Sequence, residues 1–190
     1  MTTETRGQAG DEELVARFRM DAEEFTAVYD RYFREVYLYA AGRLDVQAGE
    51  DIAAETFCLA FRDRERFDLA RGAIRPWLFG IATNLIARHR RKEARHYRAL
   101  ARTSAEPATD SHEGRVIDSV TAQRMGPRLA RALAALNQGE RDVVTLVSLA
   151  ELTHQEVADA LSVSYGTVGS RLSRARKKIH HVLAKEDDHG

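Results

Sequence analysis

A chain of 190 residues is long enough for one or two cored domains, and its single cysteine, Cys58, excludes a disulfide framework. No apolar run reaches membrane length and residues 1–10 are polar, so a cytoplasmic protein with no membrane insertion is expected. Lys plus Arg and Asp plus Glu each number 29, but this zero balance does not exclude a polyanionic partner, because binding depends on local phosphate neutralisation and the charges are segregated.

Residues 1–22 read as a polar tail in an acidic first thirty residues, where Glu4, Asp11, Glu12, Glu13, Asp21, Glu23, Glu24 and Asp30 face only Arg6, Arg17 and Arg19. From Glu23 to about Arg43, the residues Phe25, Val28, Tyr29, Tyr32, Phe33, Val36 and Tyr37 recur at helical spacing. A second helix is predicted from about Ala48 to Arg62, with Ile52, Phe57, Leu59 and Phe61 as its apolar positions. The stretch Arg64 to Ile74, containing Asp68, Arg71 and Gly72, reads as a loop. Pro76 suits the first turn of a third helix, where its missing N–H costs nothing. That helix carries Trp77, Leu78, Ile81, Leu85 and Ile86; the spacing makes Trp77 a buried anchor rather than a stacking platform. It then becomes strongly basic, with Arg88, Arg90, Arg91, Lys92, Arg95, Arg98 and Arg102 against the single acid Glu93.

Thr103, Ser104, Pro107, Thr109, Asp110, Ser111 and Gly114 mark residues 101–123 as a flexible linker. No strand-like alternation is sustained anywhere, so the fold class is all-α: one helical domain at 23–100 and another at 124–185. In the second, an apolar pattern starts at Leu129, Leu133 and Leu136, and Asn137 with Glu140 can cap a helix bearing Val143, Leu146 and Val147. Thr153 with Glu156 forms a further capping box ahead of Val157, Ala158 and Leu161. Ser162, Val163 and Ser164 make a three-residue turn, and Val168, Leu172, Ala175 and Ile179 form the inner face of the last helix.

The outer face of that helix holds Thr167, Ser170, Arg171, Ser173, Arg174, Lys177 and Lys178 without an acid. Two capped helices joined by a short turn, the second bearing hydroxyls and cations, suit major-groove entry; Arg reads guanine and Lys neutralises phosphate. The competing reading is an amphipathic hairpin whose basic face meets only water. Capping box, turn length and the acid-free face together favour DNA, with Ser170, Arg171 and Arg174 as the base-facing candidates. His154, His180 and His181 have no partner at ligand spacing, and His89 with His96 lacks supporting acids, so neither a metal nor another cofactor is expected.

The stretch LNQGERDVVTLVSLAELTHQEVADALSVSYGTVGSRLSRARKKI resembles the sigma-factor domain that binds the upstream (−35) promoter element. FTAVYDRYFREVYLYA, EDIAAETFCLAFRDRERFD and RGAIRPWLFGIATNLIARHRRK are similar to the domain that holds core RNA polymerase and opens the downstream (−10) element. From about Phe25 to Ile179 the chain is identified as a member of the extracytoplasmic-function (ECF) subfamily of sigma-70 factors. The resemblance implies that Asp51, Glu55, Thr56 and Phe57 dock on a coiled coil of the largest polymerase subunit, with the polymerase flap as a further contact. For Phe57, core packing is an equal alternative. It further implies base capture by the loop Asp68 to Arg75, which holds Arg71 and Gly72, with Asn84 and Arg88 on the helix face beside it; Asn84 offers donor and acceptor, and Arg88, Arg91 and Lys92 can hold the displaced strand's phosphates. An anti-sigma partner is implied as well. Ala54, Gly169 and Ser162 depart from the family's usual Gln, basic residue and Gly at those places.

The expected function is therefore non-catalytic promoter recognition on behalf of polymerase. A stand-alone helix-turn-helix regulator would leave the first hundred residues unexplained. A nuclease built on Asp51 and Glu55 lacks a third metal-binding group.

Overall fold

The computed structural model describes residues 4–103 and 126–187, and among these it contains eight α-helices and no strand. The first unit comprises α1 (Glu4–Met20), α2 (Thr26–Arg43), α3 (Val46–Asp63) and α4 (Ile74–Thr103). Short 3-10 turns cover Ala22–Phe25, Arg64–Arg66 and Leu69–Arg71. The second unit comprises α5 (Pro127–Ala134), α6 (Gln138–Ser148), α7 (His154–Leu161) and α8 (Tyr165–Asp187). Most of the predicted linker, from residue 104 on, lies outside the described residues.

The polar-tail reading of 1–22 is corrected by α1. Val15 and Phe18 sit three apart and both are buried, Phe18 meeting Phe25 edge-on at 5.7 Å. Asp11, one of the acids that made the segment look like a tail, is 3% exposed. One of its oxygens accepts from the Tyr32 hydroxyl at 2.9 Å and the other from the Ile74 amide at 3.0 Å, where it supplies a partner to the N-terminus of α4. Burial, reinforced by the Asp11 carboxylate, holds the Tyr32 phenol well above its ordinary pKa.

The core of the first unit joins Val28, Val36 and Tyr39 of α2 to Ile52 and Phe57 of α3 and to Leu78, Phe79 and Ile86 of α4. In the second unit Val143, Leu146, Val157, Val168 and Leu172 close on one another. Both predicted capping boxes form, at Asn137 with Glu140 and at Thr153 with Glu156. Ser162 ends α7 with φ 52° and ψ 45°, the left-handed conformation that favours glycine.

The two units share a seam. Gly80 of α4 lies so close to α7 that a Cβ there would stand 2.5 Å from the Ala160 carbonyl oxygen. Arg43, 4% exposed, donates to Asp142 of α6 at 2.7 Å and to the Tyr39 hydroxyl at 2.8 Å. Tyr39 in turn hydrogen-bonds Thr83 at 2.8 Å, and Thr83 donates to the Phe79 carbonyl. Arg75 reaches Glu35 at 2.8 Å, the Ala150 carbonyl at 2.6 Å and Glu156 at 3.9 Å. A buried cation with hydrogen-bonded partners on both sides of a seam fixes its register, because any shift leaves charge unpaired.

Candidate nucleic-acid and polymerase interfaces

Helix α8 starts where the Ser164 hydroxyl accepts from the Thr167 amide at 3.2 Å, and it buries Val168, Leu172 and Ala175. Ser170, Ser173, Arg174 and Lys177 are exposed on the outer face. Thr167, Arg171 and Lys178 are half-buried, and Arg171 and Lys178 are turned toward the start of α6. There Arg171 packs on Gly139, whose added Cβ would stand 3.1 Å from the guanidinium carbon. Lys178 donates to Glu140 at 2.7 Å, and the Arg174 Nε is 3.5 Å from the same carboxylate. Chiefly the Lys178 hydrogen bond, helped by the Asn137 amide and the Arg174 charge, holds the Glu140 carboxyl below its usual range. A Cβ at Gly169 would meet open space, so no packing demand accounts for that glycine.

On the first unit, Asn84, Arg88, Arg91 and Lys92 are exposed along α4, and none of the four forms an ion pair among the described residues. Arg88, Arg91 and Lys92 line a groove of about 390 Å³ with Glu55 on its far wall. The loop residues lie elsewhere, near the start of the same helix. Ten residues of α-helix separate Ile74 from Asn84, a rise of about 15 Å. Asp68 accepts from the Ala70 amide at 3.0 Å and so shapes the 3-10 turn that precedes Gly72. Gly72 has φ 141°, a conformation closed to other residues without strain. The Arg71 side chain is outside the described residues. A cleft of about 280 Å³ opens beside this loop, walled by Phe67, Asp68, Gly72 and Trp77, by Asp159 of α7 and by Ser162, which caps that helix. Trp77 stacks obliquely on Phe67 at 4.7 Å and is half-buried on the cleft wall, so it is not the buried anchor its spacing predicted.

Helix α3 divides its four candidate docking residues. Asp51 and Glu55 are exposed. Thr56 is fully buried and donates to the Ile52 carbonyl at 2.7 Å. Phe57 is 4% exposed, packed edge-on to Tyr29 at 5.1 Å, yet it also floors an apolar trough of about 380 Å³ between α2 and α3. Tyr29 and Phe61 flank that trough at 40% and 41% exposure. From sequence both were only apolar positions of their helices; for Tyr29 the sign of partial exposure is a stripe on α2 wider than one buried face requires. Cys58 is exposed at the same trough. Among the described residues no cluster of His, Cys, Asp and Glu could hold a metal ion, and no helix is long and apolar enough to cross a membrane.

The sigma-70 region 2 family matches residues 28–96, and the sigma-70 region 4 family matches residues 127–179. The chain is 30% identical over 152 residues to the ECF RNA polymerase sigma factor SigC of Mycobacterium tuberculosis, covering 77% of this chain and 76% of that protein. It is 31% identical over 158 residues to the ECF RNA polymerase sigma factor SigE of Mycolicibacterium smegmatis, an alignment covering 82% of this chain but 58% of that longer protein. The fold is similar to that of the sigma factor RpoE from Bartonella quintana in complex with the anti-sigma factor NepR. The TM-score is 0.59 at 19% identity, and the match covers 85% of this chain and 98% of that one.

Proposed function

The chain belongs to the sigma-70 family as an ECF RNA polymerase sigma factor, and on that premise we propose that it reads two promoter elements with two separate surfaces while bound to core polymerase. The observation that carries this reading is the outer face of α8, which presents Ser170, Ser173, Arg174 and Lys177 without an acid behind two capping boxes. Hydroxyls and a guanidinium supply base contacts, and Lys177 supplies phosphate neutralisation. Thr167 and Arg171 extend that surface along its flank.

The downstream element is met by the first unit. A base turned out of the duplex enters the cleft beside Gly72 and Asp68, with Arg71 on the same loop. Asn84 offers a donor and an acceptor, and Arg88, Arg91 and Lys92 hold the displaced strand by its phosphates. Extruding a base costs a few kcal/mol, which these contacts must offset. Polymerase docks on α3 through exposed Asp51 and Glu55 and through the apolar trough floored by Phe57. Thr56 supports that surface from beneath by fixing the helix turn. Charge steering and apolar burial are then both available at one site.

The protein acts in the cytoplasm without catalysis of its own, and an anti-sigma factor is its expected regulator, as NepR is the partner of RpoE in the similar structure. Run-off transcription with purified bacterial core polymerase and a panel of candidate promoters tests the reading. A transcript that starts at one position and requires this protein is expected; binding to neither core nor promoter overturns it.

A further inference from the structure

Two glutamates occupy the same position in two capping boxes, and only one is buried. Glu156 closes the box at the start of α7 and keeps a side chain 29% exposed. Glu140 closes the box at the start of α6 and is 1% exposed. A cap needs one oxygen. At Glu140, Oε2 accepts from the Asn137 amide at 3.1 Å and from Lys178 Nζ at 2.7 Å, while Oε1 faces Arg174 Nε at 3.5 Å. The carboxylate thus ties the start of α6 to the recognition helix, 38 residues away.

The two cations are engaged differently. Lys178 gives Glu140 its single nitrogen, so its charge is matched within the protein. Arg174 is approached at Nε, and its side chain remains 56% exposed. Its guanidinium makes no hydrogen bond among the described residues; the Glu140 carboxylate holds it by charge, from the Nε edge. A guanidinium braced at one edge loses less freedom when its remaining donors meet the paired acceptors of guanine.

We propose that Glu140 is a positioning residue for upstream-element reading: it aims Arg174 at a base edge and removes Lys178 from the charges that meet phosphate. The inference rests on α8 being the duplex-reading helix. Base discrimination at one position then depends on a residue that touches no DNA.

The test uses the full-length chain assembled with bacterial core polymerase, first to select upstream sequences from a random duplex pool. Affinity for the selected duplex and for a scrambled one is then measured by anisotropy across a salt series. E140Q keeps the capping box, since Gln serves as well at that position, and removes the charge. Its preference for the selected duplex falls about tenfold, within the range of one lost bidentate base contact. Its slope of log affinity against log salt steepens by about 0.9 as Lys178 becomes available to a phosphate. Adding K178A to E140Q removes that extra slope. R174K, which keeps the charge but not the fork, lowers preference without changing the slope; should E140Q lose helicity, K178A alone carries the test, because a lysine already matched by Glu140 leaves the wild-type slope unchanged. E140Q with wild-type preference and slope overturns the inference, as does K178A alone flattening the slope as much as it does in E140Q. If the wild-type assembly selects no sequence, the reading of α8 itself fails, and the inference with it.

Discussion

The two units of the molecule reach stability by different means. The first is held by a large aromatic and aliphatic core in which Phe18, Phe25, Tyr39, Phe57 and Phe79 interlock, most of them edge-on. The second is small and has no aromatic residue in its core. It relies on two capping boxes, the Glu140 carboxylate beneath α8, and a seam shared with the first unit. It also carries local costs absent from the first: Glu151 and Ser162 both have φ 52°. The difference teaches that the second unit, the one proposed to read duplex DNA, is the more adjustable, because single polar contacts form a larger share of what holds it.

The sharpest way to break that contrast is at the seam. Asp142→Ala leaves Arg43 buried without its acid, a change worth about 3–5 kcal/mol, seen as a lower urea midpoint. Pairing Arg43→Met with Asp142→Leu should recover most of that loss, because apolar replacement of both partners leaves no stranded charge. Next comes Gly80→Val, whose Cβ cannot fit 2.5 Å from the Ala160 oxygen. It should cost about 1–3 kcal/mol and enlarge the radius of gyration in solution scattering while far-ultraviolet circular dichroism stays helical. Within the second unit alone, Thr153→Ala removes a cap and should lower thermal stability by about 1 kcal/mol. Gly169→Ala acts in the opposite direction. With open space around its Cβ, it should stabilise α8 by about 0.8 kcal/mol, read as a raised Tm.

Local signals made much of the second unit legible. Thr153 with Glu156, Asn137 with Glu140 and the Val168 to Ala175 stripe each lie within a few residues, so the pattern carries the geometry. The α3 and α4 stripes were readable for the same reason. What escaped was set by distance along the chain. Asp11 looked like tail charge because Ile74, whose amide it accepts from, is 63 residues away. Gly80 gave no sign of its role, since only the approach of α7 makes its missing side chain matter. Among the candidate site residues, exposure on α4 followed from spacing, but the inward turn of Thr56 and the matching of Lys178 by Glu140 did not. An acid-free face on a helix says nothing of an acid delivered to its flank by another helix.

The packing of α7 over the Gly72 loop bears on how tightly the isolated chain can hold a promoter. Asp159 and Ser162 wall the cleft proposed to take the base, so on that reading the packed seam narrows the entry and the parted form is the competent one. Apparent affinity at the downstream element equals the intrinsic value scaled by that competent fraction. Every 1.4 kcal/mol or so by which the seam favours the packed form weakens it tenfold. A polymerase that binds only the parted form removes this handicap, so on the proposed reading the contacts that pack the two units also make DNA affinity conditional on the partner.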